Sequence, residues 1–190
     1  RVIGVPTGCQ DYYPALYGGA NAIELEPGGP RRVPIPAEPD EWNARFVLAY
    51  TGAPRRSGVN NWAVMKARID GDKQVKRNFG RIAAIARQMR DALAAADWEE
   101  AGRLLREEWK RRRANSPGIS TPLIDRLVAG SRRAGALGAK VCGAGGGGCV
   151  VFLVEPEARH RVCSLIESLG ATVIPARLAS GGVRVERAPR

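Results

Sequence analysis

Three short stretches hold the residues whose types and spacing are suited to chemistry. The most conspicuous is Gly143-Ala144-Gly145-Gly146-Gly147-Gly148, with Lys140 just before it. Glycine loses more conformational freedom on folding than any other residue and offers no side chain to pack. A run of five in six positions therefore suits a loop that a phosphate, a substrate or another backbone segment approaches closely. A wide, flexible hairpin is the plainer alternative. The run satisfies G-x-G-x-x-G, but a dinucleotide site needs a helix after the loop, and Cys149 to Val154 reads as a strand. A P-loop is excluded as well, because no Lys-Ser/Thr follows the glycines.

The second stretch is Gly8-Cys9-Gln10-Asp11-Tyr12-Tyr13. Asp11 suits either a helix N-cap or a carboxylate that accepts a proton from a substrate hydroxyl during group transfer. The third, Thr51-Gly52-Ala53-Pro54-Arg55-Arg56-Ser57, places two guanidinium groups and a hydroxyl directly after an apolar strand. Arginine can grip a phosphate through two parallel hydrogen bonds, although an exposed basic turn would look the same in sequence.

The elements that must position these residues follow from periodicity and punctuation. Asn21 to Glu26 alternates, with Ile23 and Leu25 on one face, and Pro27-Gly28-Gly29-Pro30 turns the chain. Val33 to Pro36 is an edge strand at best, and Phe46 to Tyr50 suits a buried strand. Val75, Phe79, Ile82, Ala86, Met89 and Leu93 form one stripe of a helix. A second helix opens at Asp97, whose cap is reciprocated by Glu100, and carries Trp98, Ala101, Leu105 and Trp109. Thr121-Pro122 starts a third that ends near Gly135. The last third reads as strand 139–142, glycine loop, strand 149–154, helix 157–169, strand 172–177 and a final strand 183–186. The plan is α+β, an antiparallel sheet with helices packed on one face.

Composition narrows the field. Among 190 residues, 44% are hydrophobic and 26% charged, as in soluble globular chains, and no run approaches the roughly 18 apolar residues of a membrane helix. The net charge of +11 comes from 30 Lys+Arg against 19 Asp+Glu, and residues 51–115 carry 16 of the bases with 8 acids. Such a field attracts any anion, nucleic acid included, but only 11 aromatic residues are available and several sit at core-facing helix positions. The cysteines (Cys9, Cys142, Cys149 and Cys163) form no C-x-x-C pair, and His160 is the only histidine, so no zinc site is expected. Reduced, mostly buried thiols and a cytoplasmic setting are the corresponding expectations. The chain opens at Arg1 rather than at methionine, and a preceding segment is expected.

Taken together, Gly8 to Tyr13 with Leu16-Tyr17-Gly18-Gly19, Ala49 to Gly52 with Arg55-Arg56-Ser57, and Gly138 to Gly148 resemble the C-terminal part of a GHMP kinase. That superfamily holds galactokinase and mevalonate kinase, and the likeness is nearest to the D-glycero-D-manno-heptose 7-phosphate kinases, from about Val5 to Glu155. The resemblance implies a ferredoxin-like C-terminal domain over 52–190 and a remnant of the N-terminal α+β domain over 1–51. It implies transfer of the γ-phosphoryl of Mg2+-bound ATP to a sugar hydroxyl, in heptose 7-phosphate the anomeric one. Asp11 matches the catalytic base, and Gln10, Tyr12, Arg55, Arg56 and Ser57 fall by the sugar site. Lys140 and Gly143, Ala144, Gly145, Gly146, Gly147 and Gly148 match the glycine motif beside ATP and substrate.

The family's main phosphate loop and magnesium ligands belong upstream of Asp11 and have no match here, so no metal ligand is assigned and little activity is expected of the chain alone. Galactose, mevalonate or another small alcohol is the alternative acceptor, and a noncatalytic basic nucleic-acid-binding module is the rival. ATP and a sugar or sugar phosphate are the expected partners, without membrane or nucleic acid. The oligomeric state stays open.

Overall fold

The structure, a computed structural model, describes residues 9–54 and 57–186, with the backbone alone at 57–60. Two units emerge, one made of the described residues up to Trp42 and those from Arg177 on, the other of Asn43–Ala176. In the first unit, α1 (Tyr12–Tyr17) precedes β1 (Ala20–Glu26) and β2 (Gly29–Ile35). The two strands form an antiparallel hairpin from Ala20↔Ile35 to Glu26↔Gly29, turned at Pro27-Gly28 as the punctuation requires. Leu25 does not share a buried face with Ile23. It lies opposite Pro30 beside the turn and is 71% exposed.

A short helix, α2 (Pro39–Arg45), leads into the second unit, with Asp40 and Glu41 in its first turn and Arg45 in its last, the polarity that suits the helix dipole. The second unit then runs β3 (Phe46–Tyr50), α3 (Ser57–Ile69), α4 (Lys73–Ala94), α5 (Trp98–Arg113), α6 (Pro122–Arg133), β4 (Ala136–Val141), β5 (Cys149–Val154), α7 (Arg159–Ser168) and β6 (Thr172–Ile174). The sheet order is β4-β5-β3-β6 with every neighbour antiparallel, the ferredoxin-like arrangement. Because β3 is laddered on both sides, to β5 and to β6, it is a central strand of this unit. The division between the two units falls after Trp42 and again after Ala176.

One face of the sheet builds the core. Register places Val47 and Ala139 on either side of Phe152, and Ala49 and Val141 on either side of Val150. Ile124 and Leu127 of α6, Val162 and Ile166 of α7, and Trp109 of α5 complete the same buried cluster. The caps read from sequence are present: the Asp97 side chain accepts from the Glu100 N–H at 3.0 Å, and Thr121 Oγ1 accepts from the Ile124 N–H at 3.3 Å. The reciprocal half of the Asp97 box is absent, since the Glu100 carboxylate is taken by Arg103 Nε and Nη2 at 2.6 and 2.7 Å.

Four further expectations are corrected. The buried stripe of α4 is Val75, Asn78, Ile85 and Ala92, a rotation that leaves Phe79 and Ala86 exposed, because α5 packs where Asn78 and Ile85 point. In α5, Leu104 is fully buried and Leu105 only half-buried, its Cβ lying against the backbone of Gly138. Residues 183–186 form no strand, and β6 stops at Ile174. None of the four cysteines forms a disulfide among the described residues, and all are only half-buried. The patterning also does not announce α2 or α3; along α3, Trp62, Met65 and Ile69 are exposed while Val64 packs against the core.

Candidate active site

The glycine loop joins β4 to β5, and its five glycines (Gly143, Gly145, Gly146, Gly147 and Gly148) all have φ between 75° and 140°. Two of them show why side chains are excluded. A Cβ on Gly145 would lie 2.3 Å from the Ile119 carbonyl oxygen, and one on Gly147 would lie 2.9 Å from that of Ala53. Both approaches are fixed by hydrogen bonds. The Gly146 N–H donates to Ile119 O at 2.9 Å and the Gly148 N–H to Ala53 O at 2.8 Å, while the Thr51 N–H and Oγ1 both donate to Gly148 O at 2.9 Å. The loop is thus clamped between the end of β3 and the turn at Pro117–Ile119. It is a rigid cradle rather than a loose hairpin. At its tip, the N–H groups of Gly143 and Ala144 form no backbone hydrogen bond among the described residues, and Gly143 is exposed.

Lys140 is the penultimate residue of β4, three before Gly143, and its ammonium lies 2.8 Å from Oε2 of Glu108 in α5. Glu108 is buried and its other oxygen accepts from Arg112 Nε at 2.6 Å. Burial pushes the Lys140 ammonium below the usual lysine range; Glu108 opposes that shift and Arg112 adds to it. The trio anchors β4 to α5 behind the loop. Close backbone contact reinforces the joint, since a Cβ on Gly102 would lie 2.5 Å from that of Leu137.

Gln10, Asp11 and Tyr12 lie in the other unit. Asp11 occupies the N-cap position of α1, but its side chain makes no capping hydrogen bond and is exposed, as is that of Gln10. The far end of α1 is held by the chain's C-terminal segment: the Gly19 N–H donates to Ala179 O at 2.6 Å and the Val183 N–H to Ala15 O at 2.9 Å. A Cβ on Gly182 would lie 2.0 Å from Leu16 O, so this docking needs glycine. Below α1, Tyr13 stacks on Tyr17, Tyr17 carries the Arg32 guanidinium over its ring at 4.4 Å, and Arg32 Nε donates to Asn21 Oδ1 at 2.6 Å. Arg55 and Arg56 lie outside the described residues, and Ser57 is described only as the backbone that opens α3.

Glu108, Thr51 and Ile119 are the site-building residues that patterning leaves without a role. For Glu108 a signal exists. With Ala101 and Leu104 it continues a three-then-four spacing, so a carboxylate stands within the apolar stripe of α5.

Residues 89–171 match the family described as GHMP kinases C terminal, with the glycine loop inside the matched range. The chain belongs to the GHMP kinase superfamily. Mevalonate kinase of Thermococcus sibiricus is 32% identical over 151 residues, 74% of this chain and 43% of the relative. D-glycero-alpha-D-manno-heptose 7-phosphate kinase of Campylobacter jejuni is 27% identical over 165 residues, 84% of this chain and 48% of that one. The crystal structure of L. major mevalonate kinase in complex with R-mevalonate superposes with a TM-score of 0.74 at 27% identity, over 87% of this chain and 49% of that one. This GHMP kinase chain therefore spans about half the length of the curated mevalonate and heptose phosphate kinases it matches.

Proposed function

We propose that this chain supplies the acceptor-activating carboxylate and the glycine cradle of a small-molecule kinase that phosphorylates a hydroxyl of a sugar or sugar phosphate. The observation that carries the reading is the clamped glycine loop. Five left-handed glycines, with side chains excluded at Gly145 and Gly147 and N–H groups presented at the tip, suit the close approach of phosphate oxygens. ATP fits that chemistry. Magnesium, when bound with ATP, neutralises charge on the phosphates, but the described residues hold no group of three or more acidic, His or Cys side chains placed to bind a metal ion, and none is assigned to it.

In the reaction, the acceptor oxygen forms the new bond to the γ-phosphorus as the bond to the bridging oxygen of the departing ADP breaks. The hydroxyl proton passes to an Asp11 carboxylate oxygen. Asp11 suits that task because its side chain is not spent on capping α1. Gln10 and Tyr12 flank the acceptor, and Arg55, Arg56 and Ser57 grip it, the arginines through a substrate phosphate. The glycine loop orients the phosphates, with Lys140 and Glu108 holding the strand that presents it. Heptose 7-phosphate at its anomeric hydroxyl is the first acceptor to try. Mevalonate is the second reading, favoured by the 32% identity to the Thermococcus sibiricus kinase.

The test is acceptor-dependent ADP formation by the longest open reading frame that contains this chain, with heptose 7-phosphate, galactose and mevalonate offered in turn. Turnover of about 1–100 per second with one acceptor is expected, and no acceptor-dependent ADP with any phosphorylatable alcohol overturns the reading. The 190-residue chain alone should fall far below that range, since its relatives have about twice its length.

A further inference from the structure

A strongly basic cleft of the second unit has no residue of the glycine loop in its lining. Between the first turns of α4, the last turn of α5 and the start of α6 is a cleft of about 810 Å³. Arg77, Arg81, Lys110, Arg111 and Arg113 line it, against the single carboxylate of Asp125. That carboxylate is already shared, accepting from Ser120 Oγ at 2.7 Å and lying 3.7 Å from Arg113 Nη1. Arg81 is paired outward to Glu107 at 3.1 Å. Arg77 and Lys110 have no ion pair among the described residues, and Arg111 Nε is buried without a hydrogen-bond partner there.

Charge compensation at a helix end explains part of this. Basic residues in the last turn of α5 complement its dipole. That account does not reach Arg77 and Arg81, which belong to a different helix and converge on the same space. Five like charges around one cleft repel one another unless an anion attends them. The guanidinium fork is shaped for two oxygens of one phosphate. The volume lies in the range of small-molecule sites, about 300–1,000 Å³.

We propose that this cleft is a second anion site, which takes a small molecule carrying two or more linked phosphates. It is separate from the glycine cradle, for no residue of 143–148 lines it, yet it adjoins it: Ser120 lines the cleft and its neighbour Ile119 anchors Gly146.

The experiment is calorimetric titration of the 190-residue chain with inorganic tripolyphosphate at fixed ionic strength. Wild type should bind, and Arg77→Ala/Arg111→Ala should weaken binding about tenfold or more. The single Arg77→Glu, at an exposed position with no ion pair to lose, should do the same while the melting temperature stays put. Arg87→Ala/Arg90→Ala, which removes equal charge from α4 outside the cleft, should leave affinity within about twofold. Equal weakening by the control pair, undiminished binding by both cleft variants, or no binding by wild type overturns the proposal. So does single-stranded RNA that binds the cleft and that tripolyphosphate fails to displace.

Discussion

A single Cβ separates two kinds of glycine in this chain. At Gly145 the residue would meet both the left-handed backbone, φ 78°, and the Ile119 carbonyl oxygen at 2.3 Å, whereas at Gly170 it would meet only the backbone strain, φ 86°, with nothing within 4 Å. Gly170→Ala should therefore cost about 1 kcal/mol, and Gly145→Ala about 2–4 kcal/mol because the clamp must open. Urea unfolding of the two variants measures the difference, and equal costs would mean the loop is not clamped. The same clamp shows the limit of sequence at this scale. The run of glycines is visible as a string, but the partners that make it rigid, Ile119 and Ala53, come from distant parts of the chain. Lys140 has the same history. Its partner Glu108 sits in a strongly charged helix and is buried only because β4 packs there. Since burial holds the Lys140 pKa below its ordinary 10.5, the unfolded chain binds more protons between the lowered value and 10.5, and stability rises with pH across that window. Lys140→Met should lose that rise relative to wild type; parallel stability curves would contradict it.

Among the elements, helix starts were legible because their chemistry is local. Asp97 and Thr121 each supply an oxygen to an N–H three residues on, and each does so in the structure. Asp97→Ala should lower stability by about 1 kcal/mol, while Glu100→Gln should not mimic loss of a reciprocal cap, because the Glu100 carboxylate bonds Arg103 instead. Thermal melts of the two variants distinguish these cases. Helix faces were less legible. Along α4 the spacing permits a stripe through Phe79 or one through Asn78, and packing against α5 selects the second, with Asn78 Nδ2 donating to Asn115 Oδ1 at 2.9 Å. Helix α3 escaped because its large apolar residues face outward. The expected strand at 183–186 failed for a related reason: Val183 and Val185 alternate properly but stand 63% and 87% exposed, and the segment is held by Gly181-Gly182 at α1 rather than by a ladder.

For the whole molecule, the α+β plan follows from alternation, continuous apolar runs and glycine punctuation, and the structure has it; the order of the strands in the sheet is not set by those patterns. In sequence β3 reads equally well as the last strand of one unit or a central strand of the next, and its ladders to β5 and β6 make it central to the second unit. The central proposal is that Asp11 accepts the proton of the acceptor hydroxyl. Its most direct test is Asp11→Asn in the open reading frame that shows acceptor-dependent ADP formation. Loss of the base should lower kcat by about 10²–10⁴-fold with KM for ATP little changed. A variant that turns over at the wild-type rate would contradict the account.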